Sequence, residues 1–233
     1  MAKELIAADI SKERGIVVLS DLDHRPEVDD RVEFVQGDPT RNESLIRAGV
    51  PKADSVIVLT DLTLGSSQAD AQALMIVLAV ESLNRDVHTC VQVMDSANRI
   101  HLENAHADEI VCLDQMGGSL VVASALNHGV ARVVTELLTF NKGSEFYRYD
   151  WQLSDSLVGK EYAEAVELLA ERRIILVGFE TDYSEELPKQ MAGDTISRLP
   201  EVKRAVIVNP QREYKIRQGD ALFIIAEAEP AQL

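Results

Sequence analysis

Three short apolar runs, each closed by an acidic residue, set the terms on which this chain can fold. Ile16-Val17-Val18-Leu19 leads into Ser20-Asp21, Val32-Glu33-Phe34-Val35 into Gln36-Gly37-Asp38, and Ser55-Val56-Ile57-Val58-Leu59 into Thr60-Asp61. Runs this short and this rich in β-branched residues read as parallel strands buried on both faces. In an open α/β sheet the ligand crevice lies beyond the carboxyl ends of the strands, so the three acidic ends share one ledge. That ledge is the candidate site.

The segments between the runs carry helical spacing. Glu43 to Ala48 reads as a helix, with Asp38 or Thr40 placed to cap it, and Gly37 allows close backbone approach. After a polar loop from Leu62 to Gln68, a helix is expected from about Ala69 to Leu83 on Ala73, Leu74, Val77 and Leu78. Thr89 to Asp95 is a fourth strand, Ala97 to Ala105 a helix, and Glu109 to Leu113 a fifth strand. This alternation predicts an α/β fold, a Rossmann-like doubly wound parallel sheet.

Such a sheet ordinarily begins with a strand and a glycine-rich turn. Here Met1 to Ser11 already reads as a helix, with apolar Leu5, Ile6 and Ile10. The sheet is therefore N-terminally truncated as the sequence stands. We expect a segment upstream of Met1 to supply the missing strand, with Ile16–Leu19 and Ser55–Leu59 flanking its place.

Gly117-Gly118 is expected to open a long apolar helix, Ser119 to Phe140, broken near Asn127-His128-Gly129. Its apolar and small-residue surface, including Ala123, Ser124 and Ala125, exceeds what one sheet covers. It packs on a second copy or across to another lobe, or else it is an ordinary core helix. From Asn141 the pattern changes to strands at Glu145–Trp151, Ile174–Phe179, Arg204–Val208 and Ala221–Ala226, with one helix at Tyr162–Ala170. The expected organisation is a Rossmann-like domain over residues 1–142 and a smaller α+β domain over residues 143–233.

Charge and cysteine content exclude several functions. With 39 acidic against 23 basic residues and a formal charge of −16, phosphate counterion release cannot drive binding, so nucleic acid is not a partner. Cys90 and Cys112 each sit in an apolar run and read as buried, reduced thiols. No apolar run reaches the ~20 residues that span a bilayer. No histidine pair has zinc spacing, and His88, His101, His106 and His128 stand apart from any paired donor. A truncated NAD-dependent oxidoreductase is the alternative from another class; it would need a proton donor or acceptor beside the nicotinamide. Asp21 closes a strand where such folds hydrogen-bond a ribose, although an aspartate there also serves as a turn or helix cap.

Val35-Gln36-Gly37-Asp38-Pro39-Thr40, then Leu45 to Val50 and Ala53 to Val58, resemble the regulator of potassium conductance (RCK) family, TrkA-N type. Asn209-Pro210 through Tyr214 and Ile216 to Ile225, with the Gly219-Asp220 turn, look like its C-terminal, TrkA-C half. Gln68 to Leu74 and Ser144 to Tyr147 are similar to the Castor/Pollux-type ion channels and their bacterial relatives. The resemblance implies a cytosolic ligand-sensing domain that forms homo-oligomers, a dimer through the long helix and an octameric gating ring, and acts on a membrane cation-channel pore. It implies cofactor binding by Asp21, Asp38, Thr40, Thr60 and Asp61, with NAD or an adenine nucleotide as ligand. It also implies a calcium or other divalent-cation site at Asp70, with Asp95 as a second ligand, although Gln92 and Met94 stand where further carboxylates belong.

Overall fold

A computed structural model describes residues 2–8, 15–23, 29–140, 143–149, 156–182 and 204–230. Its contacts divide the chain into Met1–Ala131 and Arg132–Leu233, so the division falls ahead of residue 142. Asp150 and Trp151, expected to end a strand, lie outside the described residues, as do Asp9 to Ser11 of the expected first helix.

The first unit runs α1 (Ala2–Ala7), β1 (Ile16–Ser20), β2 (Val32–Gln36), α2 (Asn42–Arg47), β3 (Ser55–Val58), α3 (Ser66–Leu83), β4 (His88–Val93), α4 (Arg99–Asn104), β5 (Glu109–Cys112) and α5 (Leu113–Leu126). Among the described residues all strand pairing in it is parallel, but β1 and β3 are not buried on both faces as expected, since Val17 and Ile57 are exposed. β1 pairs with β2, Ile16 opposite Val32, while β3, β4 and β5 form a separate sheet in that order. Among the described residues β1 and β3 do not pair, so each presents one edge without a strand partner.

The core of this unit forms where α3 lies on β4. Val58, Ala73, Val77, Val80, Val91 and Val93 are buried together, and Leu19 and Val56 pack at its margin. The helical spacing of Ala73, Val77 and Val80 against the alternation of Thr89, Val91 and Val93 makes that contact. Asn84 ends α3: its backbone N–H bonds Val80 O, and its side chain donates to Val50 O at 3.0 Å and Ala53 O at 3.1 Å. Those two bonds pin the helix end to a 3₁₀ turn at Val50–Lys52. Cys112 is buried but Cys90 only half so, with burial pushing its thiol up and Glu109 adding to that.

Two helices differ from expectation. α3 begins at Ser66, because Ser66, Ser67 and Gln68 form its exposed first turn and do not prolong the loop. α5 begins at Leu113, directly from β5, and contains Gly117 and Gly118, which do not open it. Glycine in a helix costs about 1 kcal/mol relative to alanine but does not forbid it, so the pair was a poor start signal. The expected break holds at Gly129, φ +98°, before α6 (Val130–Leu137). No residue of α5 is buried, and Val121, Val122 and Leu126 are 70%, 60% and 76% exposed.

The second unit carries a four-stranded antiparallel sheet in the order β6 (Glu145–Tyr149), β9 (Ala221–Ala226), β7 (Ile175–Asp182), β8 (Arg204–Val208). α7 (Tyr162–Ala170) buries Tyr162, Ala165 and Leu169 against it. Phe179 is the centre of that core: Tyr214 stacks on its ring at 4.4 Å, and Tyr162 meets its edge at 5.9 Å. A helix packed on an antiparallel sheet is the α+β arrangement the sequence predicts.

Candidate functional site

β1 and β2 end side by side, tied by a hydrogen bond from Gly37 N to Ser20 O at 2.8 Å. A side chain at Gly37 would not fit, since a Cβ there would come within 2.6 Å of Ser44 Oγ and 2.7 Å of Arg47 Nη2. Arg47 also donates to Gln36 O at 2.7 Å, fixing the strand end from α2. Asp21 is exposed at the neighbouring end of β1.

Asp38 and Asp61 close turns of the same design. Asp38 Oδ1 accepts from Thr40 N at 2.9 Å and Thr40 Oγ1 at 2.7 Å. Asp61 Oδ1 accepts from Thr63 N at 2.8 Å and Thr63 Oγ1 at 2.7 Å. The signal is Asp-x-Thr, a side chain that bonds the backbone two residues on. Neither Asp38 nor Thr40 caps α2, whose N-cap is Arg41 without a side-chain bond. The Thr40 hydroxyl and backbone bonds hold Asp38 below the usual carboxylate range, with Arg41 assisting, and the Thr63 bonds do the same for Asp61. Both are anions at neutral pH. Among the described residues, no hydrogen bond or ion pair joins one turn to the other.

Thr60, between β3 and the Asp61 turn, is 8% exposed, and its Oγ1 is buried without a hydrogen-bond partner among the described residues. Buried hydroxyls are normally paired, so an orphan at a strand end is a polar group awaiting one. Four residues after Asp61, the N-cap of α3 is Gly65, which has no side chain to cap it.

Asp70 and Asp95 are not brought into a cation site. Asp70, 4% exposed in α3, accepts from Met94 N at 2.8 Å, Asp95 N at 3.0 Å and Asn98 Nδ2 at 2.7 Å. Asp95 Oδ1 accepts from Ala97 N at 2.9 Å. Asp70 therefore fastens the carboxyl end of β4 to α3, with its oxygens already serving N–H donors. Gln92 and Met94 add no carboxylate, and among the described residues no three His, Cys, Asp or Glu gather to hold a metal ion. This donor set does not fit calcium, which takes six to eight oxygens. Asn98 was not anticipated; only its spacing after the strand could have marked it.

Residues 2–113 match the TrkA-N domain family. That stretch, somewhat under half of the chain, is similar to a TrkA-N domain. The calcium-gated potassium channel TvoK of Thermoplasma volcanium is 25% identical over 215 residues, 91% of this chain and 55% of the channel. The ion channel POLLUX of Lotus japonicus is 27% identical over 197 residues, 82% of this chain and 18% of the channel. The chain thus spans about half the length of one curated relative and under a fifth of the other. The human SLO3 gating ring superposes with a TM-score of 0.64 at 18% identity, covering 98% of this chain and 42% of that one, which establishes likeness of fold. The first unit is Rossmann-like in its parallel α/β pairing, and the antiparallel α+β unit follows it in the chain. Among the described residues no helix is long and apolar enough to cross a membrane.

Proposed function

We propose that the chain is a cytosolic ligand-sensing regulatory domain that biases the pore of a potassium or other cation channel or uptake system. The observation that carries this reading is the Thr60 hydroxyl, buried without a partner beside the anionic Asp61 turn at the carboxyl ends of the strands. Its similarity to TvoK, a calcium-gated potassium channel, and to the ion channel POLLUX supports the regulatory role. The relatives are channels, and no catalytic residue is assigned.

The ligand sits on the ledge of Asp21, Asp38, Thr40, Thr60 and Asp61. Carboxylates that stay anionic there favour a divalent cation or the hydroxyls of an adenosine ribose, with Thr60 completing the donor–acceptor set. A ligand that binds one arrangement of the oligomer better than another shifts the population toward it, and the pore follows. The oligomer forms through α5, whose exposed Val121, Val122 and Leu126 are the apolar surface for it.

Thermal melting with calcium, magnesium, ADP or NAD tests the reading. A ligand at about 100 times its Kd stabilises by about 2.7 kcal/mol, which raises Tm by several degrees. The shift should vanish in Thr60→Val and Asp61→Ala. No shift with any of the four would remove the ledge as a sensing site.

A further inference from the structure

α3 is fastened to β4 at both ends, and the fastening at the amino end of the strand is built from titratable groups. Glu81 Oε1 accepts the Thr89 hydroxyl at 2.8 Å, and Thr89 is fully buried. The Thr89 backbone N–H donates to Asp108 Oδ2 at 2.7 Å, and Asp108 N returns a bond to Thr89 O at 3.0 Å. One threonine thus joins two carboxylates, from α3 and from the turn before β5. His88 Nδ1 lies 3.7 Å from Asp108 Oδ2. His106 follows α4 at φ +68°, and its charge opposes the rise of the Glu81 carboxyl.

We propose that Glu81 and Asp108, joined through Thr89, form a proton-responsive fastening that holds the end of α3 and the turn before β5 to the sheet more firmly at acidic than at alkaline pH. At alkaline pH two carboxylates share one threonine and repel each other across it. Glu81 itself takes up a proton early. Burial pushes its carboxyl up, the Thr89 bond opposes, the Asp108 charge adds to the rise, and His106 opposes it.

The sign follows from linkage. A carboxyl raised in the folded state contributes stability that is complete below its unfolded value and is lost as pH rises through the folded one. Protonated Glu81 still accepts from or donates to Thr89 Oγ1, so the bond survives while the repulsion goes. α3 is 18 residues long and begins at the Thr60–Asp61 ledge, so this end sets how firmly the whole rod is seated.

Amide hydrogen exchange on the full chain tests the fastening, with protection of the Thr89 and Asp108 amides referred to that of Val91 in the same sheet and corrected for intrinsic rates. As pH falls from about 8 through the range where a raised carboxyl takes up its proton, the ratio should rise several-fold. Glu81→Gln, which keeps an acceptor for Thr89 without the charge, should give high protection at alkaline pH and lose most of the dependence. His106→Asn, whose new side chain tolerates left-handed backbone, should move the midpoint to higher pH by removing the cation that favours the carboxylate. An unchanged ratio in the native chain, a dependence retained in Glu81→Gln, or an unmoved midpoint in His106→Asn would each overturn the proposal.

Discussion

Removing the Asp70 carboxylate would leave the Met94 and Asp95 amides and the Asn98 side chain without an acceptor. A buried donor left unsatisfied costs about 1–3 kcal/mol, so Asp70→Ala should lose about 3 kcal/mol or more in urea unfolding. Calcium should not restore the loss, because the carboxylate serves N–H donors and no gathered cation site. In the second unit Tyr214 OH bonds Asp220 Oδ2 at 3.1 Å, with Thr181 Oγ1 at 3.5 Å. Burial pushes Tyr214 up to about 12, the Thr181 bond opposing and Asp220 adding to the rise. A free tyrosine titrates near 10, so the stability this phenol contributes is complete below about pH 10 and lost as pH rises through about 12. Tyr214→Phe should flatten that alkaline fall in circular-dichroism melts, and an unchanged fall would assign it to another group.

Among the elements, α5 makes the strongest demand for a partner. With no residue buried and Val122 and Leu126 60% and 76% exposed, it should self-associate, and Val122→Asp with Leu126→Asp should reduce the mass seen by light scattering to that of a monomer. A monomeric native chain at micromolar concentration would contradict the assignment. The strands were legible from short β-branched runs such as Val56 to Val58 and from the alternation of buried Thr89, Val91 and Val93, although Ile57 is exposed. Helix starts were not: Ser66 and Gly117 look like loop residues, yet Ser66 is the first residue of α3 and Gly117 lies inside α5, which runs directly on from β5. The ledge aspartates were legible by position, but their turns lay in the Asp38/Thr40 and Asp61/Thr63 spacing, where side chain and backbone compete for the same oxygen. The orphaned Thr60 hydroxyl and the Asp70 clamp depend on packing between distant segments, which no local pattern carries.

At the scale of the molecule, the two parallel sheets of the first unit each show an edge without a strand partner among the described residues, at β1 and β3. A strand added between them would pair amides and carbonyls on both sides, so extending the chain with a segment that supplies one should raise Tm by several degrees. Equal stability with and without it would mean the edges need no partner. The same extension bears on the ligand, since a glycine-rich turn leading from that strand would meet the ledge where phosphate binds. Calorimetric titration of calcium, magnesium, ADP and NAD into the native chain, beside Thr60→Val and Asp61→Ala, bears most directly on the ledge as a sensing site. The expected result is saturable one-site binding of at least one of these ligands, lost or weakened at least tenfold in both variants, a loss of about 1.4 kcal/mol. Binding that survives unchanged in both variants, or none with any of the four, would contradict it.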